Sequence, residues 1–427
     1  MSAAEIKIDS LDQLAAYASE SGNTVTMSPG VYDLTDFLPA ESMVAQHDQG
    51  LFQYMSFSGS NNVFSMEGVE IVVDTELRTA LDPPIHTSEF LVSGNGNTLT
   101  GLEIRYFGEG VSPGGAAVEV SGEGNTLVDL TLRVTGSFPY GYGDLFGKGG
   151  PGVIAHKKHS GLLVTGSNTQ LTGCKLYMRS FGHGFFVQRK CENITFEECY
   201  VEGGVRSTDE ILSETSGPAY DVDFRTWTVN RAGEYRVTPG YMKSLCEDGF
   251  RTYGHIQNIQ FKNCTAKNTR GGFELRTDGG IRLEDCTVIG TERGYWVGDD
   301  ATMVNCKGDA SHGPLFFIEG KNVEAEIVVV PTDTDCLVHA LGTIQQSDSH
   351  VVLKSEEGVQ RTKEIPILVG YTPPEHGEGM TPFGESETSG LRLKNETGMP
   401  VIVGAQASNC EIESDGEIRQ SDGDTVR

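Results

Sequence analysis

Asn258-Ile-Gln-Phe-Lys-Asn-Cys-Thr-Ala has a grammar that returns along the chain and decides the fold. It reappears as Asn193-Ile-Thr-Phe-Glu-Glu-Cys-Tyr-Val, Ile281-Arg-Leu-Glu-Asp-Cys-Thr-Val and Asn168-Thr-Gln-Leu-Thr-Gly-Cys-Lys-Leu. Two earlier copies, Asn97-Thr-Leu-Thr-Gly-Leu-Glu-Ile and Asn125-Thr-Leu-Val-Asp-Leu-Thr-Leu, carry Leu where the others carry Cys. Apolar residues alternate with polar ones, which is the period of a strand with one face on a core. Successive copies recur after roughly 20–25 residues, too short for a strand-plus-helix unit with its turns and right for one coil of a parallel β-helix. The longer interval from Cys199 to Cys264 predicts one or more extra coils plus an inserted loop at about 204–248.

A second strand follows each of these. Gly184-Phe-Phe-Val-Gln, Gly249-Phe-Arg-Thr-Tyr, Gly272-Phe-Glu-Leu-Arg and Gly294-Tyr-Trp-Val-Gly align Phe185, Phe250, Phe273 and Tyr295 in one inward column, with Val187, Thr252, Leu275 and Val297 in the next. The residues between must point outward. Ser10-Leu-Asp-Gln-Leu-Ala-Ala-Tyr-Ala reads as a short helix behind a capping serine, covering the open end of the coil before the first strand near Thr24. The expected fold class is therefore all-β, a single right-handed parallel β-helix (a solenoid) with a short N-terminal capping helix and a long inserted loop. One domain spans 1–427: cap and first strand at 1–30, main coils at 31–330 with the insertion at 204–248, and less regular coils and a frayed tail at 331–427.

Composition agrees. A chain of 427 residues exceeds the ~250–300 at which one globular core stops growing, and a solenoid escapes that limit by growing along one axis. Glycine, at 54 residues, stands well above the ~7% average. The net charge of -28, from 60 acidic against 32 basic residues, excludes a general nucleic-acid binder, which needs a cationic face. Nowhere is there an apolar run of the ~18 residues that a membrane helix needs. Nine cysteines are an odd number, five of them (Cys174, Cys199, Cys264, Cys286, Cys306) hold one position of the repeat, and no CxxC pair occurs, so they read as reduced, stacked core residues with no zinc site. Reduced cysteines are compatible with the cytoplasm, and the compartment stays open.

With its capping helix followed by Val25-Thr-Met-Ser-Pro-Gly-Val-Tyr and its coils, the chain resembles the pectate-lyase-like superfamily of parallel β-helix proteins over roughly residues 5–330. That resemblance implies a carbohydrate-active protein acting on a polysaccharide or oligosaccharide, in a secreted or periplasmic setting, and the superfamily includes lyases, hydrolases, epimerases, esterases and adhesins. A homo-oligomer stays open.

The register itself places the candidate site. One outward column holds Phe186, Arg251, Glu274 and Trp296, and the next holds Gln188, Tyr253 and Arg276. Strands in neighbouring coils stand ~4.8 Å apart, so Arg251, Tyr253, Glu274, Arg276 and Trp296 form a patch that suits two to three sugar units. An arginine neutralises a uronate carboxylate and acidifies the proton at C5, Tyr253 serves as base or acid if a cation lowers its pKa, and Trp296 offers a face to a sugar ring. A plain ladder of charges pairing across coils is the bland alternative. His183, in Gly182-His-Gly184, enters the same face and resembles the Gly-His-Gly motif of the polygalacturonase family, whose other motifs are not found in matching order. His156, Lys157 and Lys158 bring basic residues to the patch, with His156 ahead of Gln188 in its column. The insertion contributes Arg225 and Lys243 as substrate contacts, and its carboxylates Asp221, Asp223, Glu247 and Asp248 form either a Ca²⁺ site or part of a hydrolase acid/base pair; no other cofactor is expected. The leading reading is a polysaccharide lyase cleaving a uronate glycan by β-elimination; a glycoside hydrolase using paired carboxylates and a non-catalytic glycan-binding β-helix are the alternatives.

Overall fold

The computed structural model describes residues 5–50, 53–80, 88–112, 114–150, 152–230, 232–277, 279–331, 339, 341–358, 363–372 and 384–421. By its internal contacts the chain divides into two compact units, Met1–Tyr140 with Lys157–Glu202, and Gly141–His156 with Gly203–Arg427. In a solenoid each coil touches only its neighbours, so interrupting segments readily divide the contacts. Among the described residues no helix is long and apolar enough to cross a membrane.

In the first unit, short parallel strands build the coils. Met55, Phe90, Val118, Leu162 and Phe185 follow one another in register as an inward column, with Phe57, Val92, Val120, Val164 and Val187 beside it. On the other sheet Val25, Phe64, Leu99, Leu127, Leu171 and Phe196 do the same. The asparagines that open the early repeats form a buried ladder: the backbone N–H groups of Asn23, Asn62 and Asn97 donate to the side-chain oxygens of Asn62, Asn97 and Asn125 at 2.8, 3.0 and 2.8 Å. Each side-chain N–H₂ of Asn62, Asn97 and Asn125 donates in turn to a backbone carbonyl of the preceding coil, on Glu20, Gly59 and Gly94. A turn that must be buried thereby satisfies its own polar groups.

The capping helix spans Leu11–Ser19, with Ser10 accepting from the Gln13 N–H at 3.3 Å. A strand the sequence reading did not identify, Glu5–Ile8, precedes it and pairs in parallel with Thr24–Met27. Two further helices, Leu34–Phe37 and Ala40–Asp48, are also additions; the first is too short to show a helical period.

The second unit continues the same grammar. Phe250, Phe273, Tyr295 and Phe316 are consecutive partners. Phe250 and Phe273 stack at 4.5 Å between ring centroids, and Phe273 and Tyr295 at 5.5 Å. Before each cysteine of the motif stands a residue with positive φ: Asn263 (51°), Asp285 (54°) and Asn305 (52°). Asn and Asp tolerate this left-handed conformation better than other side chains, which explains the recurring Asn-Cys and Asp-Cys dipeptides. Cys264, Cys286 and Cys306 behind them are fully buried, and all eight described cysteines are free; Cys336 lies outside the described residues. Parallel strands run on through Glu324–Val329, His350–Ser355, Arg392–Glu396 and Glu411–Ser414. The predicted loop at 370–379 and the tail from 421 fall largely outside the described residues.

The insertion contains no parallel coil strand among its described residues, so the extra coil expected there is absent. It is an antiparallel pair, Val205–Ser207 with Met242–Ser244, around two short helices, Thr208–Leu212 and Pro218–Asp221. Ile211, Ala219 and Val237 pack with Tyr142, Leu145 and Phe146 in a small apolar core of their own. The Gly141–His156 segment and the insertion thus share one apolar core, and burying that surface holds them together.

The first unit also buries a polar cluster. Arg78 Nε donates to Glu89 Oε1 at 2.7 Å, and Arg78 Nη2 lies 2.9 Å from His159 Nε2. A guanidinium only donates, so His159 accepts at Nε2 and donates from Nδ1 to Ser112 Oγ at 3.0 Å. Glu89 Oε2 also stands 3.4 Å from His159 Nε2, and in this tautomer His159 does not take the Ser112 proton. Burial and then the Arg78 charge hold the His159 pKa below its ordinary value. A folded imidazole that resists protonation loses stability as pH falls through and below its unfolded value of about 6.5, by at most about 1.4 kcal/mol per pH unit for one proton. Thermal unfolding of wild type and H159Q between pH 7.5 and 5 is expected to show a steeper acid loss in wild type; parallel curves contradict it.

Candidate functional site

The site is built on the second unit's sheet, where Arg251 pairs with Glu274 and Glu274 with Trp296 in register. The outward column therefore stands as the alternation predicts. It is not open to water, however: Arg251, Glu274 and Trp296 are all buried. Side chains from the Gly141–His156 segment and the insertion reach this face, as the contacts of Asp144 and Lys243 demonstrate.

Glu274 sits at the centre of four guanidinium groups. It pairs with Arg251, accepts from Arg276 Nη2 at 2.9 Å, and lies 3.6 Å from Arg293 and 3.9 Å from Arg270. Arg270 in turn binds Asp248 through Nε and Nη2, the shortest bond 2.9 Å, and reaches Glu247 at 3.3 Å and Asp144 at 3.4 Å. Buried charges persist only when paired and hydrogen-bonded, and here each arginine has carboxylate partners. Burial alone would lower the Arg270 pKa, but Asp248, Glu247 and Asp144 outweigh it and hold the group firmly charged.

Behind this layer lies a fully buried clasp. Lys243 Nζ, from the inserted hairpin, stands 2.5 Å from Asp144 Oδ1 and 2.9 Å from Glu292 Oε2. Glu292 also accepts from the Ser244 N–H at 2.7 Å. Burial and the nearby Asp144 charge push the Glu292 carboxyl up to about 7 against the pull of Lys243. Burial works to raise Asp144 as well, yet Lys243, Arg270 and Lys148 together hold it well below the usual carboxylate range.

Lys148 completes the group. It is partly buried on the Gly147-Lys-Gly149 turn, and its amine is brought down to about 7 by burial, then by the charges of Arg270 and Arg293, with Asp144 and Asp248 opposing them. An amine in that range is substantially neutral near physiological pH, as a proton acceptor must be. Tyr253 lies under the Arg251 guanidinium, 4.4 Å from its ring centroid. The expected lowering of its pKa does not occur: burial and the carboxylates of Asp248 and Glu247 outweigh Arg251 and push the phenol up to about 12. Tyr253 is thus a proton donor rather than a base.

Arg276 is the exposed edge of the cluster, its side chain 35% accessible against 7% for Arg251 and 5% for Glu274. Its guanidinium covers the Trp296 ring at 4.6 Å, with Arg293 at 5.6 Å. The indole N–H donates to Glu319 at 2.8 Å and the ring packs edge-on to Phe317. Trp296 is therefore a packing surface for arginines rather than an open sugar platform.

Other sequence candidates fall elsewhere. Lys243 is locked in the clasp and is no substrate contact. Arg225 is exposed on the insertion. The proposed calcium carboxylates do not converge: Asp223 is 3.4 Å from Arg236, Asp221 is exposed, Glu247 and Asp248 belong to Arg270, and no cluster of three or more ligating side chains occurs among the described residues. His156 is buried in an isolated bridge with Gly150. It does not share a column with Gln188, because the strand of that coil is Ser160–Val164, with Val164 opposite Val187. His183, Phe186, Gln188, Lys157 and Lys158 belong to the first unit. There Phe186 stands on the outward face opposite Leu163, as the alternation predicts, but it is buried with Ala116 and Leu163, and the buried His183 ring packs against it at 5.7 Å. Lys158 stands over Phe181 at 5.3 Å, and Lys157 is exposed in a bridge with Phe138.

Lys148, Arg270, Arg293, Asp144 and Glu292 were not anticipated. A signal existed for three of them: Arg270-Gly-Gly-Phe and Glu292-Arg-Gly-Tyr stand at the same place in successive coils, just ahead of the strand.

No family model and no curated protein sequence matches the chain. Among solved structures it is similar to a PL6 alginate lyase in complex with a trisaccharide, at 11% identity and a TM-score of 0.55, covering 98% of this chain and 86% of that one. It also matches an alginate lyase in complex with G6 (11% identity, TM-score 0.44, 99% and 91% covered) and an endo-xylogalacturonan hydrolase from Aspergillus tubingensis (12%, 0.38, 98% and 94%). Identity at this level speaks to fold alone, and with the columns and ladders above it establishes that the chain has the pectate-lyase-like parallel β-helix fold.

Proposed function

We propose that the protein is a polysaccharide lyase that cleaves a uronate-containing glycan by β-elimination at the second unit's arginine cluster. The observation that carries this reading is the arginine cluster around Glu274, with the accessible guanidinium of Arg276 on Glu274, the phenol of Tyr253 under Arg251, and Lys148 supplying an amine brought down to about 7. Arg276 holds the uronate carboxylate and acidifies the C5 proton. The neutral Lys148 amine takes that proton, the C5–H electron pair becomes the C4=C5 double bond, the C4–O bond breaks, and the leaving oxygen takes the Tyr253 proton. The fold's occurrence in alginate lyases supports this choice of chemistry by analogy.

Hydrolysis is less well served. A hydrolase needs a carboxyl that carries a proton to the leaving group. Glu274 is enclosed by guanidinium groups and Asp248 is gripped by Arg270, so both carboxyls are already engaged by the protein's own cations.

R276A is expected to abolish turnover on the uronate glycan, assayed by the ultraviolet absorbance of the new double bond; full activity in that variant removes Arg276 from the mechanism. Y253F is expected to lower kcat by about 10²-fold with KM nearly unchanged, because the phenol acts on the leaving group in the transition state. An unchanged kcat assigns the proton donor to water.

A further inference from the structure

The first unit carries a cationic face of its own. Its strands Glu103–Phe107, Thr131–Thr135 and Lys175–Arg179 follow one another in parallel register, with Arg105 opposite Arg133 and Arg133 opposite Tyr177, and with Thr131 opposite Lys175 and Thr135 opposite Arg179. Ile104, Leu132 and Leu176 are buried between these positions, so the intervening side chains point away from the core. The outward positions of the three strands hold four cations, Arg105, Arg133, Lys175 and Arg179, against one carboxylate, Glu103, on a chain whose net charge is -28. Carboxylates stand on either side: Glu70 and Asp74 on the coil before, Glu202 on the coil after. Like charges directly opposite on adjacent strands repel, yet Arg105 and Arg133 share one column.

The two guanidinium groups are held in a way that leaves one edge of each unused. Glu70 accepts from Arg105 Nε at 2.5 Å and Glu103 from Arg133 Nε at 2.7 Å, each from one coil back. Arg133 also lies over the Tyr177 ring at 4.6 Å, and Tyr177 packs against Tyr200 at 6.0 Å between centroids. Among the described residues neither arginine makes a hydrogen bond through its terminal nitrogens, and the side chains are 41% and 47% accessible. Arg78 shows the contrast: also bound at Nε by a glutamate, it is buried and uses both terminal nitrogens inside the protein. The free Nη1–Nη2 edge of a fixed guanidinium is the fork that receives a carboxylate through two parallel N–H···O bonds.

Taking from the lyase reading only the class of ligand, we infer that this face is a second, non-catalytic binding site for a uronate-containing glycan. Arg105 and Arg133 receive successive carboxylates of the polymer, Lys175 and Arg179 add attraction beside them, and Tyr177, packed on Tyr200, is a positioning residue for Arg133. Three coils spaced by ~4.8 Å give a track about 10 Å long, which suits two to three sugar units. A neutral glycan leaves the guanidinium edges without a charged partner, and the acidic coils on either side limit the track.

The test is affinity electrophoresis of the full chain through gels containing pectate, alginate, a neutral glucan or single-stranded DNA. R276A serves as the background, because it removes the catalytic cluster's accessible carboxylate contact and is expected to stop turnover. R276A is expected to be retarded by a uronate glycan and not by the glucan, and adding R105Q and R133Q together is expected to weaken that binding by about 10–100-fold. K175E/R179E, changed at two exposed positions with no part in the ion pairs, is expected to weaken it about tenfold and keeps the test open if the arginine variant does not fold. No retardation of R276A by any uronate glycan, or unchanged retardation in the folded variants, overturns the proposal; stronger retardation by DNA than by either glycan overturns the class of ligand. Cleavage by wild type separates the site from the reading it draws on. If retardation depends on Arg105 and Arg133 but wild type cleaves nothing, the binding site stands and the lyase assignment falls. If wild type is a lyase, R105Q/R133Q is expected to raise KM on the polymer about tenfold with kcat unchanged, because a glycan held by the same chain is concentrated for cleavage, and an unchanged KM overturns the site.

Discussion

K148M is expected to lose about 10²–10⁴-fold in kcat on a uronate glycan, the range that a positioned proton acceptor contributes. K148R is expected to fare no better, although it preserves the charge, because a guanidinium stays protonated at any working pH. The distinction matters in a site already rich in arginine: Arg270 and Arg293 supply charge, and only Lys148 supplies a neutral amine. Its value of about 7 sets the sign of the pH dependence. Above that value the amine is mostly neutral and the rate is level; below it the charged form accumulates, and kcat/KM falls tenfold per pH unit. Steady-state rates between pH 5 and 9 check this, and wild-type-like turnover by K148M would move the base elsewhere.

The second large effect concerns stability. K243M removes the ammonium group shared by two fully buried carboxylates, Asp144 and Glu292, and is expected to cost about 3–5 kcal/mol, the penalty for orphaning buried charge. Arg270 still faces Asp144, so the worse-placed partner is Glu292, which is already raised to about 7 by burial and Asp144. Without Lys243 that carboxyl takes up a proton more readily in the folded state than in the unfolded one. A raised folded pKa gives stability that is present at low pH and lost as pH rises through it. K243M is therefore expected to be less destabilised at pH 6 than at pH 8, measured by thermal unfolding against wild type, and an equal loss at both pH values contradicts the assignment.

What the sequence revealed follows from which features carry a period. The inward aromatic column through Phe250, Phe273 and Tyr295 was legible because strand alternation and coil spacing together fix both face and neighbour. The same logic brings Arg251, Glu274, Arg276 and Trp296 together from the sequence. It failed on exposure, because an outward side chain becomes buried when a non-repeating segment folds over it. It failed again at His156, where Gly152-Val-Ile-Ala-His looks like a strand but the coil strand begins at Ser160. Lys148 was invisible: a lysine among glycines in a connection has no pattern to mark it, and only packing reveals its neighbours. Lys243 misled for the related reason that a charge on an insertion reads as solvent-facing until its buried partners are known.

The central claim is tested most directly by incubating purified protein with alginate, pectate, glucuronan, ulvan, glycosaminoglycans and neutral glycans while following double-bond absorbance and new reducing ends together. The lyase account predicts that both rise in step on at least one uronate glycan and on none of the neutral ones. Reducing ends without double-bond absorbance on any substrate would contradict it and assign the site to hydrolysis, and neither signal on any would leave a glycan-binding β-helix.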